Sequence, residues 1–69
     1  MIKVTRLDNR ELVINAELIE FLETTPETML SMTTGKRVVV RESVDEVLRR
    51  IAEYRRRALP VVKTPVNGN

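Results

Sequence analysis

The chain has 69 residues, 12 basic against 10 acidic side chains, a net charge of +2, and neither cysteine nor histidine. That excludes a disulfide staple, a Cys/His zinc site and histidine acid–base chemistry. One domain of this size buries only about 60% of its unfolded surface, so its core is marginal; oligomerisation is the remaining source of buried area, and a homo-oligomer is expected. The lack of cysteine and of a charged-then-apolar leader points to the cytoplasm.

Met1 to Leu7 alternates, with Ile2, Val4 and Arg6 on one side and Lys3, Thr5 and Leu7 on the other, and reads as a strand. Asp8-Asn9 is a turn pair, and Glu11 to Asn15 is a second strand that closes a hairpin. The stretch from Asn15 to Glu23 fits a short helix on Leu18, Ile19 and Leu22, or a strand. It is too short for an isolated helix and runs into Thr24-Thr25-Pro26, which favours a turn over Asn15 to Glu17 and a strand over Leu18 to Thr24. Pro26-Glu27 makes a turn, Thr28 to Thr33 a fourth strand, Thr34-Gly35 a turn, and Lys36 to Arg41 a fifth strand.

The strongest local signal follows. The β-branched run Val38-Val39-Val40 stops at Ser43, and Ser43 and Glu46 have the S-x-x-E spacing of a capping box. The serine oxygen is expected to accept from the Glu46 N–H, and the Glu46 carboxylate to reach back to the N–H of Ser43. The helix predicted from Val44 to about Ala58 has acids in its first turn and Arg55, Arg56 and Arg57 in its last, matching the dipole. Val44, Val47, Leu48, Ile51, Ala52 and Tyr54 form its apolar stripe, so Val47, Leu48 and Ile51 are structural candidates beside Ser43 and Glu46. Pro60 ends the helix, and Leu59 to Asn69 reads as a flexible tail whose Val61-Val62 is a candidate partner contact. The expected fold class is α+β: a domain over 1–58 of five short antiparallel strands followed by one C-terminal helix, the strands forming a small or barrel-like sheet.

Site chemistry is sparse. Glu17, Glu20, Glu23 and Glu27 lie in a polar, turn-rich stretch and read as solvated. Ser43 is explained by capping, Gly35-Lys36 lacks the rest of a phosphate loop, and Met29 and Met32 read as core or interface filler. No enzyme activity, cofactor or small-molecule substrate is expected. The basic residues are the candidate contacts. Arg49 to Arg57 holds five arginines and one acid, Glu53, and carries +4, so the remainder of the chain carries −2. That stretch suits an acidic protein, RNA or anionic lipid, and a solvated helix face explains it equally. Lys3, Arg6, Arg37 and Arg41, beside Lys36, are candidate RNA contacts on the sheet, or ordinary edge-strand charges. Phe21 and Tyr54 are the only aromatics, which leaves RNA little to stack on.

Read end to end, the chain resembles the small flagellar FlbD/SwrD family. The similar stretches are Met1-Ile2-Lys3-Val4-Thr5-Arg6-Leu7, Val13-Ile14-Asn15, Leu18 through Thr28, Thr34-Gly35-Lys36, and Val39-Val40 with Glu42-Ser43-Val44 and Glu46-Val47. They cover about residues 1 to 57, and their order and spacing carry the likeness. Asn9 stands where the family tends to have Gly, and Ala16 where Pro is frequent. The resemblance implies a cytosolic, non-enzymatic accessory of flagellar motility and swarming; it does not name the partner, which is expected to be a flagellar or regulatory protein. A weaker resemblance is to the CsrA regulators, through Met1 to Arg6 and Val38-Val39-Val40-Arg41-Glu42. It implies a homodimer that binds RNA through Arg6 and Arg41.

Overall fold

The computed structural model describes residues 1–24 and 26–58. Thr25 and the expected tail over residues 59–69 lie outside the described residues. The elements are β1 (Ile2–Thr5), β2 (Glu11–Ile14), a 3-10 turn (Ala16–Leu18), β3 (Ile19–Thr24), β4 (Thr28–Met32), β5 (Arg37–Val40) and α1 (Val44–Ala58). This is the expected α+β order of five antiparallel strands and one helix.

The strands form two small sheets, β1-β2 and β3-β4-β5. In the first, Ile2 faces Ile14 and Val4 faces Leu12. In the second, Leu22, Leu30 and Val38 stand in one row across three strands. A single bridge, Arg6 to Val40, joins β1 to β5, supported by the Arg41 N–H donating to the Thr5 carbonyl at 2.8 Å. The sheet is not closed, which corrects the barrel-like alternative. The physical reason lies at the end of β1. After Arg6 the chain turns, with Asn9 at φ 71° and its N–H on the Arg6 carbonyl at 2.9 Å, so β1 leaves before it can run along β5. Asparagine tolerates that left-handed geometry. Gly35, at φ 94°, makes the corresponding turn between β4 and β5.

The expected turn over Asn15 to Glu17 is the start of the 3-10 element, and the Asn15 side chain accepts from the Glu17 N–H at 3.0 Å. That bond caps the turn and lets β3 begin at Ile19.

The core is Ile2, Val4, Ile14, Ala16, Leu30, Met32, Val40 and Val47. It draws on both sheets and one helical residue, so α1 is held to the strands chiefly through Val47, with Ile51 and Tyr54 half-buried against the same cluster. Leu48, expected on the apolar stripe, is 49% exposed, and Ala52 is exposed as well. The stripe is narrower than expected because residues 44, 47, 51 and 54 repeat at three and four, whereas 48 and 52 fall about 100° further round.

Leu30 has no exposed surface. Leu30→Ala is expected to lower unfolding free energy by about 2–5 kcal/mol in chemical denaturation, from lost transfer energy plus a cavity. Leu48→Asp should change it by less than about 1 kcal/mol, as at other exposed helix positions. Equal losses for the two variants would show that the Leu48 face is covered in solution.

Candidate functional site

At the start of α1 the Ser43 Oγ accepts from the Glu46 N–H at 3.0 Å, as the spacing requires. The reciprocal half of the box does not form. The Glu46 carboxylate instead accepts from Arg49 Nη2 at 2.6 Å, Arg49 Nε at 3.1 Å and Arg50 Nε at 2.8 Å. Charge-assisted bonds from two guanidinium groups outcompete a neutral backbone N–H. These bonds, first from Arg49 and then from Arg50, hold the Glu46 carboxyl down at about 2, from an ordinary 4.5.

Arg50 extends this cluster across the fold. Its Nη1 donates to the Lys3 carbonyl at 2.7 Å and to Glu42 Oε2 at 3.1 Å. Glu42 sits on the corner between β5 and α1, its side chain only 10% exposed. Its Oε1 accepts from the Thr5 N–H at 2.9 Å and its Oε2 from the Thr5 hydroxyl at 2.8 Å. Burial opposes its charged form, but the Thr5 bonds and Arg50 outweigh that and keep its carboxyl below the ordinary value. One carboxylate thus ties the end of β1 to the root of the helix. The Glu46–Arg50 half of this junction is legible as an i,i+4 pair. The Glu42–Thr5 half spans 37 positions and carries no sequence signal.

The candidate contact residues lie on several surfaces. Arg6 is exposed beside the bridge to Val40, and Arg41 is next to that bridge, its guanidinium donating to the Leu7 carbonyl at 2.9 Å. Their backbones are neighbours, but successive strand residues alternate, so the Arg41 side chain leaves on the face opposite to that of Val40 and its bridge partner Arg6. Lys3 is exposed on β1 opposite Val13, and Arg37 is exposed on β5 opposite Ser31. At the helix end, Arg56 and Arg57 both pair with Glu53, at 2.7 and 3.2 Å, and these arginines, Arg56 foremost, hold the Glu53 carboxyl below its ordinary value. Arg55 is exposed and forms no ion pair among the described residues. A cleft of about 610 Å³ between β1 and α1 sets Lys3, Arg49, Arg50 and Arg57 among Glu11, Glu42 and Glu53, so its charges are mixed, with one cation in excess.

Among the described residues no group of three His, Cys, Asp or Glu side chains could hold a metal ion, and no helix is long and apolar enough to cross a membrane.

A family model described as flagellar and swarming motility proteins matches residues 1–59, a span that takes in both sheets and the whole helix. The chain therefore belongs to the FlbD family. No curated protein and no solved structure matches it.

Glu42→Ala removes the acceptor for both Thr5 donors and a partner of Arg50. It is expected to cost about 1–3 kcal/mol in denaturant unfolding, the penalty of leaving part-buried donors unpaired. The pH dependence has a defined sign. Glu42, Glu46 and Glu53 all have folded values below 4.5, Glu46 about 2. Depressed carboxylates stabilise the fold above their unfolded value and lose that contribution as they protonate. Thermal stability should therefore fall as pH drops from about 4.5 toward about 2, and Glu46→Gln should make that fall shallower. A pH-independent melting temperature across this window would contradict the assignment.

Proposed function

We propose that the protein is a non-enzymatic cytosolic accessory of flagellar motility that acts by binding a macromolecular partner. The observation that carries this reading is the family match over residues 1–59. A binding role is supported by the division of labour among the basic side chains. Arg49, Arg50, Arg56 and Arg57 are engaged by carboxylates within the fold, whereas Lys3, Arg6, Arg37, Arg41 and Arg55 are exposed and in no ion pair among the described residues. Exposed cations without an internal counter-charge form an electrostatic footprint for an acidic surface.

Deleting the gene is expected to impair swarming or swimming; normal motility in the deletion strain counts decisively against the reading. Changing Arg55, Arg56 and Arg57 to Ala should reduce motility if the helix end meets the partner, while Arg41→Ala should leave it near wild type.

An RNA-binding reading gains one specific observation, the placement of the Arg6 and Arg41 backbones side by side at the β1–β5 bridge, where Arg6 pairs with Val40. Phe21 on β3 and Tyr54 on α1 lie on different elements and offer no shared stacking platform. The protein-partner reading therefore ranks first, and it predicts no electrophoretic shift of leader RNAs by micromolar protein at low salt. A shift would favour RNA if it weakened with salt at a log–log slope of about −0.7 per phosphate contact and if Arg41→Ala flattened that slope.

A further inference from the structure

A groove of about 400 Å³ lies between β2 and the start of β5, floored by Leu12, Ile14, Met32 and Val38. Its charged rim is Arg6, Lys36 and Arg37, and no carboxylate lines it. None of these three cations forms an ion pair among the described residues. The groove also borders a strand with unused bonding capacity, because among the described residues β2 is paired only to β1. The missing occupant is thus apolar at its centre, acidic at its flanks, and able to present a strand edge.

The chain itself carries such an element. Among the described residues β3 is paired only to β4, which leaves its outer edge open there. On it Phe21 is 58% exposed, between exposed Glu20 and Glu23. Neither carboxylate forms an ion pair among the described residues. Burying an exposed aromatic side chain of this kind favours association. An antiparallel β3–β3 pairing centred between Phe21 and Leu22 would set Glu20 against Glu23, whereas the cationic groove offers both acids opposite charge.

We infer that the chain self-associates by seating the β3 edge of one copy, with Phe21 as anchor and Glu20 and Glu23 as flanking charges, in the cationic groove of another. The inference stands on charge complementarity and two open edges, and it is independent of the motility reading.

Sedimentation analysis of the full chain tests it. Wild-type protein should associate in the micromolar range, less so in high salt. Phe21→Ser, the pair Lys36→Glu with Arg37→Glu, and the pair Glu20→Lys with Glu23→Lys should each weaken association by more than about tenfold. All five positions are exposed, so the monomer should keep its circular dichroism spectrum. Mixing the two charge-reversed proteins in equal amounts should restore association, because each then meets its opposite. A wild-type monomer at all concentrations tested would overturn the inference and leave the groove to an acidic segment of another protein. So would unchanged association of Phe21→Ser, or a mixture of the two charge variants that stays monomeric.

Discussion

The Glu42 carboxylate is where the two ends of the fold are made to agree. It follows β5 and precedes α1, yet its two oxygens are taken by the backbone and hydroxyl of Thr5, at the far end of β1. Arg50 then reaches from the second turn of the helix to the same carboxylate and to the Lys3 carbonyl. The direction of α1 relative to the hairpin is thus set by a charged junction as much as by Val47. Remove the junction, and the cleft between β1 and α1 loses the wall that Arg50 and Glu42 share. The arrangement is part-exposed, so each bond contributes modestly; its effect comes from several bonds acting on one group.

The arginines divide by what their neighbours are. On α1, Glu46 and Glu53 lie three or four positions before Arg49, Arg50, Arg56 and Arg57, and each acid collects two of them. Helical spacing makes such pairs unavoidable. The strands have no such rule. Arg6 and Arg37 form no ion pair among the described residues, although Arg37 shares a cleft with Glu20 and Glu23. A chain with a net charge of only +2 therefore still presents locally one-signed surfaces.

Much of the architecture was legible because its signals are local. Alternation marked β1, the Asp8-Asn9 and Thr34-Gly35 pairs marked their turns, and Ser43 marked the helix start within one residue. What was not legible depends on distance or on competition. The bond between Glu42 and Thr5 has no periodicity to announce it. The Glu46 carboxylate had two partners within reach, and the sequence pattern alone favoured the weaker one. Leu48 was drawn into the apolar stripe because hydrophobicity shows which residues suit a core but not how wide a face the strands cover. Closure of the sheet likewise depended on where β1 turned away, which Asn9 decides through its backbone angle rather than through any pattern of apolar residues.

The single bridge between β1 and β5 also shapes how the molecule comes apart. Val4 and Val40, each only 1% exposed, sit on either side of that seam. Each sheet is stitched internally by several register pairs, but the seam has one. Parting it would uncover both valines, and would also break the Glu42–Thr5 and Arg41–Leu7 bonds that cross beside it. If that seam opens before either sheet does, the hairpin and the three-stranded sheet become separate units for hydrogen exchange. Amides within each sheet then report their own unit, while the Arg41 amide, donating across the seam to Thr5, reports the coupling between them.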